Sequence, residues 1–273
     1  MRRVLILLLF LNSFSLSAQN SGWLYDLPLA QMAARANNKL ILVDFWATWC
    51  GPCKKMDMEV WSTAEAEEIK KNFIPVKIDI DSEAALASRY GIRSIPNLLL
   101  MDLHGKVIHQ QVGYSSKQDL LRFIKNIPGD VGSLNNHLET EIGAKDFSQL
   151  RDLGLAYQNL AKAVTYPALQ RSFISESEQA FRKAAKKAST DAEKTEVELW
   201  SSLGAVIRGG AKKVRTEMLE TQGTYTGTPN EALAYFVLLC ACKESGDTAG
   251  YESALGQLKA LPASGQFISL AEN

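Results

Sequence analysis

The sequence predicts a two-part molecule: an α/β domain of alternating strands and helices, followed by an all-helical region built from helical hairpins. Three observations carry this. Before residue 130, short apolar runs of strand character alternate with helical segments that have legible starts. After residue 133 the strand signals stop and apolar residues recur only at helical spacing. Between the two, Ile127-Pro128-Gly129-Asp130-Val131-Gly132-Ser133 is a cluster of breakers that cannot continue a helix. The expected partition is a signal peptide over residues 1–18, the α/β domain over 19–130 and the helical domain over 131–273.

The elements follow in chain order. Met1-Arg2-Arg3 is a short basic region, Val4 to Leu11 is apolar throughout, and small and polar residues lead to Ala18. This is the three-part pattern of a secretory signal, with cleavage expected after Ala18. An uncleaved anchor is the alternative, but the run falls short of the roughly 20 residues that span a bilayer. The expected location is therefore periplasmic or secreted. Asp26 with Pro28 opens a first helix. Leu40 to Phe45, apolar but for Asp44, shows no alternation, as in a strand covered on both faces. Ser62-x-x-Glu65 reads as a capping box, Phe73 to Asp79 and Asn97 to Asp102 as strands, and Lys106 to Val112 as a hairpin partner across His104-Gly105. Ser116-x-x-Asp119 opens the domain's last helix.

In the second half, three apolar stripes keep helical spacing. They run through Leu150, Leu153, Tyr157, Leu160 and Val164; through Ile174, Ser177, Phe181, Ala184 and Ala188; and through Leu233, Phe236, Val237, Cys240 and Ala241. Gly209-Gly210, Gly223 through Pro229, and Gly246-Asp247 punctuate the helices.

Charge excludes one class of function. Lys+Arg 30 balances Asp+Glu 30, and loss of Arg2 and Arg3 with the signal leaves a faintly acidic chain, without the basic stripe that nucleic acid requires. Four cysteines in 273 residues do not make a disulfide-stapled scaffold. They form two unlike pairs, Cys50 with Cys53 and Cys240 with Cys242.

Trp49-Cys50-Gly51-Pro52-Cys53 sits between the buried strand and a helical segment beginning Lys54-Lys55-Met56. At a helix start, unpaired backbone N–H groups and the dipole favour negative charge, so Cys50 can ionise near neutral pH. The thiolate is the species that attacks disulfides. Cys50 is thus the expected attacking residue and Cys53, facing inward, the resolving one. A zinc site completed by Cys240, Cys242 or a histidine is disfavoured, because His104, His109 and His137 show no ligand spacing. A purely structural disulfide would close too small a loop to stabilise much. No cofactor and no metal are expected.

Leu42 to Lys54 resembles the active-site strand and turn of the thioredoxin family, and Tyr90-Gly91-Ile92-Arg93-Ser94-Ile95-Pro96 resembles its cis-proline loop. Val76-Lys77-Ile78-Asp79 falls between the two motifs, as in that family, and Glu59-Val60-Trp61 resembles its extracytoplasmic branch. The similarity spans about residues 23 to 127. It implies a central mixed sheet flanked by helices and a thiol–disulfide oxidoreductase acting on protein disulfides. It also implies that Asp44 is a buried carboxylate of raised pKa that takes the Cys53 proton, with Lys77 tuning it; a strand-end pair that merely solvates itself is the bland alternative. Pro96 would be cis, leaving the Ile95 backbone free to pair with substrate. Trp49, Gly51, Pro52, Ile95 and Pro96 are the expected substrate surface, with Trp49 either shielding the disulfide or packing as a core aromatic. Asn97, where many relatives carry threonine, has no assigned role.

The Gly-Pro spacer resembles the reducing members of the family, so reduction or isomerisation is expected, recharged by a membrane electron donor. Net oxidation is the alternative. A partner-binding protein on a vestigial scaffold is the rival from a different class. Leu153-Gly154-x-x-Tyr157 and Trp200-x-x-Leu203-Gly204-x-x-Ile207 resemble the first helix of tetratricopeptide repeats, but they lie 50 residues apart instead of 34. The helical half is therefore expected either to hold a protein or peptide ligand or to pack, on the first domain or on a second copy. Cys240 falls on the apolar stripe as a core residue, and Cys242 is expected to be partly exposed.

Overall fold

A computed structural model describes residues 22–139, 146–262 and 264–272; the expected signal peptide lies outside the described residues. Helix α1 (Leu27–Asn37) starts at the expected cap, where Asp26 Oδ1 accepts the Leu29 N–H at 2.6 Å. Pro28 stands in its first turn, where no N–H bond is lost. Strand β1 (Ile41–Trp46) then enters the centre of a four-stranded sheet of order β2-β1-β3-β4. It runs parallel to β2 (Ile74–Asp79) and antiparallel to β3 (Asn97–Met101), which in turn pairs antiparallel with β4 (Val107–Val112). A strand with neighbours on both edges and helices over both faces has no polar side to present. Hence the apolar run of β1, interrupted only by Asp44.

Helix α2 (Gly51–Met56) follows β1 and passes directly into a π-helical turn at Asp57–Trp61. Helix α3 (Ala64–Ile69) comes next, and its cap differs from the expected one by a residue. Thr63 Oγ1 accepts the Ala66 N–H, whereas Ser62 Oγ donates back to Met58 O. The π turn uses an extra residue before the chain leaves the helix, so the next hydroxyl occupies the cap. Helix α4 (Ala84–Arg89) has no sequence signal, because Glu83 at its start makes no capping bond. The hairpin between β3 and β4 is held by Asp102 Oδ1, which accepts the His104 and Lys106 N–H groups at 2.9 and 3.0 Å. Helix α5 (Lys117–Lys125) starts at Ser116 as expected, with Oγ accepting the Asp119 N–H at 3.1 Å.

The breaker cluster separates two helices but also starts the second. Helix α6 (Gly132–Glu139) begins inside it, after Asp130 Oδ1 accepts the Gly132 N–H. Helices α7 (Phe147–Ala163), α8 (Pro167–Ala185), α9 (Asp191–Ala205), α10 (Ala211–Thr221), α11 (Glu231–Ser245), α12 (Thr248–Ala260) and α13 (Gly265–Glu272) follow. Gly209 turns the chain between α9 and α10 at a φ of 97°.

Helices α7 and α8 approach closely at Gly154, where a Cβ would lie 2.3 Å from Phe181 Cε1. Gly154→Ala should therefore destabilise the protein by about 1–3 kcal/mol through overpacking. The same change at Gly256 in α12, which has nothing within 4 Å, should stabilise by about 0.5–1 kcal/mol. Urea denaturation of the two variants should show opposite signs.

The two halves share one core. Leu134 and Leu138 of α6, Tyr157 of α7, and Phe173 and Ile174 of α8 belong to the same buried cluster as Leu100, Ile108 and Phe123. Asn126, just past α5, accepts the Thr165 and Tyr166 N–H groups at 2.7 and 3.0 Å, fixing the start of α8. Lys106 pairs with the buried Glu176. His109 of β4 meets Ser172 Oγ at 2.8 Å, and burial pushes its pKa down to about 4, so it is neutral at the junction.

A second buried cluster surrounds α11. Here the expected places of two cysteines are exchanged: Cys242 is buried and Cys240 half-buried. Helix α11 is covered by α9, α10, α12 and α13, so it buries residues around nearly its whole circumference and has no polar face to divide them.

Candidate active site

The site begins where β1 ends. Cys50 is the N-cap of α2 in extended conformation, and its Sγ accepts the Cys53 N–H at 3.1 Å. Pro52, in the first turn, fits a position with no helical N–H partner. Cys50 and Cys53 form a disulfide with Cα atoms 5.3 Å apart. Both are covered, at 3% and 1% exposure, so the expected contrast between an outward and an inward cysteine is slight in this state. Gly51 and Pro52 are exposed beside them.

Ala47, Cys50 and Cys53 form a small apolar cluster against Trp46, Ile80 and Ile95. The Ile95–Pro96 peptide is cis, as the motif implied. Ile95 therefore reaches the disulfide from the loop before β3. Asn97 has a structural task there: its Nδ2 donates to Ser94 O and its Oδ1 accepts from Gln110 Nε2 at 3.1 Å, tying this loop to β4. Trp49 is 65% exposed, which excludes the core-aromatic alternative, and its indole N–H donates to Asp81 Oδ2 at 2.9 Å.

Asp44 and Lys77 face each other across β1 and β2 in register. Asp44 is fully buried and neither carboxylate oxygen has a hydrogen-bond partner. Burial pushes its pKa up to about 7, against the opposing pull of Lys77 and with the help of Asp57. Lys77 Nζ lies 3.8 Å from Asp44 Oδ2 but pairs more closely with Asp57. It also sits over the Trp23 and Trp46 rings at 5.2 and 5.3 Å. Trp23, Asp57 and Asp81 were not among the residues expected at the site. Asp57 has one faint sequence signal, a carboxylate one helical turn past Cys53, whereas Trp23 has none.

This arrangement can do one kind of chemistry well. A sulfur at a helix start, paired with a second sulfur in a small apolar cluster, suits thiol–disulfide exchange. Among the described residues, no group of three or more His, Cys, Asp or Glu side chains could hold a metal ion.

Residues 30–126 match the family model described as thioredoxin. Thioredoxin from Chlorobaculum thiosulfatiphilum is 40% identical over 88 residues, covering 32% of this chain and 79% of that protein. The chain belongs to the thioredoxin family. Thioredoxin from Haemophilus influenzae is 45% identical over 84 residues, covering 31% of this chain and 76% of its own. Among solved structures, a thioredoxin from Nicotiana alata is 33% identical, covers 37% of this chain and 83% of its own, and superposes with a TM-score of 0.30. The thioredoxin match spans α1 to α5 and ends before α6. Within it, the Cys50–Cys53 pair makes the protein a thiol–disulfide oxidoreductase.

Proposed function

We propose that this protein is an extracytoplasmic oxidoreductase that reduces or isomerises protein disulfides through its Cys50-Gly51-Pro52-Cys53 dithiol. In the reducing direction, the Cys50 thiolate attacks one sulfur of a substrate disulfide and expels the other as a thiolate. Cys53, giving its proton to Asp44, then attacks Cys50 Sγ and releases the second substrate sulfur. Two electrons pass from the dithiol to the substrate, and the Cys50–Cys53 disulfide remains. A membrane dithiol donor would return the electrons, since nothing outside the cytoplasm keeps thiols reduced by default.

The observation that carries this reading is the Cys50–Cys53 disulfide at the head of α2, packed against Ile95 of the cis-proline loop. The apolar run ahead of Ala18 supports the location. Cys53→Ser cannot complete the exchange, so, expressed with its native leader, it should accumulate proteins as mixed disulfides on Cys50. Thiol-sensitive adducts of extracytoplasmic proteins are the expected result. Adducts confined to cytoplasmic proteins would refute the location, and none at all would refute substrate reduction.

The core shared between β4 and α8 favours a structural role for the first helices of the second half, as cover for the sheet. Any ligand of the tetratricopeptide-like region would then engage α9 to α13.

A further inference from the structure

The buried Asp44 has an unusual neighbour arrangement. Its register partner Lys77 stands 3.8 Å from Asp44 Oδ2, and three other groups share the same ammonium. Asp57, on the π-helical turn after α2, takes it in a close ion pair. Trp23 and Trp46 cover it with their ring faces. Trp23 lies upstream of the thioredoxin match, but it is not a loose appendage. The chain beside it is pinned to β2, with Leu24 N–H donating to Pro75 O and Lys77 N–H donating to Leu24 O, both at 2.9 Å. Its ring is buttressed edge-on by Trp61 at 5.1 Å, and Trp61 belongs to the same π turn as Asp57. The wider turn thus supplies both the anion that pairs with Lys77 and the indole that braces its aromatic cover. A local π turn is a common device for re-aiming side chains at a functional site.

We propose that Asp57 and Trp23 are positioning residues for the exchange reaction: together they fix how closely the Lys77 ammonium approaches the Asp44 carboxyl and so set the pH at which Asp44 accepts the Cys53 proton. The inference rests on the proton-relay reading of Asp44. The charged groups brought around Asp44 are Lys77 from β2 and Asp57 from the π turn; its neighbour on β3, Leu98, carries no charge. Lys70 also lies over the Trp23 ring, at 5.3 Å, and pairs with Glu67.

The sign follows from electrostatics. Asp57 contributes a negative charge that favours the protonated form of Asp44, and it competes for the Lys77 ammonium, which favours the ionised form. Asp57→Asn removes the charge and frees Lys77 to approach Asp44, and both effects act in the same direction. Trp23→Leu removes a ring face that holds the ammonium, while Trp23→Phe keeps one.

The test uses the full chain in its oxidised form, following the Asp44 carboxyl carbon-13 resonance against pH, with the pH profile of insulin reduction recorded in parallel. Asp57→Asn should move the midpoint of both curves down by about one unit or more. Asp57→Glu, which restores the charge, should return them toward the parent, and Trp23→Leu should shift them further than Trp23→Phe. Unchanged midpoints in Asp57→Asn would overturn the role of Asp57, and equal midpoints in the two Trp23 variants that of Trp23. The relay reading fails separately: it is lost if Asp44→Asn leaves the pH profile of turnover where the parent has it.

Discussion

Cys50→Ser should reduce insulin-disulfide turnover to the uncatalysed background. A serine hydroxyl does not ionise at neutral pH, and it cannot form the mixed disulfide on which the whole exchange depends. Removing the nucleophile outright costs other enzymes about 10⁶-fold, and a loss on that scale places the variant below detection. The fold should be untouched, because the oxygen can still accept the Cys53 N–H at the head of α2, as Cys50 Sγ does. Cys53→Ser should behave differently: one rapid attack per molecule, then arrest. Turnover in Cys50→Ser comparable to the parent would sink the oxidoreductase mechanism and leave the partner-binding alternative standing.

Asp44→Ala should make the protein more stable at pH 8 while slowing it as a catalyst. In the folded chain burial raises the Asp44 pKa from 3.8 to about 7. Below about pH 4 the carboxyl is protonated in folded and unfolded chains alike, so its ionisation costs no stability. As pH rises, the unfolded chain releases the proton first and is favoured, until the penalty is complete above about pH 7. Three pH units at about 1.4 kcal/mol each give a penalty on the order of 4 kcal/mol. The variant escapes it, less about 1 kcal/mol for the space left behind. Lys77 is not orphaned, because Asp57 still holds it. Urea denaturation of the oxidised proteins at pH 4 and pH 8 checks the claim, which requires the stability of the variant relative to the parent to rise from the lower pH to the higher. An advantage of equal size at both would mean that the carboxyl is not the strained group.

Much of the first half was legible because its signals are local. Asp26 and Ser116 cap the helices they were expected to cap, since a side-chain oxygen three residues from a free N–H decides a helix start without help from the rest of the chain. The non-alternating apolar residues of Leu40 to Phe45 mark a central strand because each of its faces must be covered. Thr63 in place of Ser62 shows the limit, for the cap depends on where the preceding π turn lets the chain out. Cys240 and Cys242 show a larger one. A helical stripe separates buried from exposed positions only when one face meets water, and α11 is enclosed by four other helices.

What the sequence by itself determined is the chemistry: a Cys-Gly-Pro-Cys turn between a buried strand and a helix, a proline loop in the right place, and an acid in the strand beneath. These are short-range patterns, and the thioredoxin match over residues 30–126 agrees with them. The tertiary structure alone decided what surrounds that acid. Lys77 was expected to act on Asp44, and it lies 3.8 Å from that carboxyl while also pairing with Asp57 and two indoles, because strand register, a π turn and an upstream tryptophan converge on one ammonium from three separate stretches of chain. It also decided that the second half is part of the first half's core, through β4, α5 and α8. Burial and charge pairing are properties of the assembled molecule, since they depend on which distant residues displace water from a group, and no local spacing encodes that.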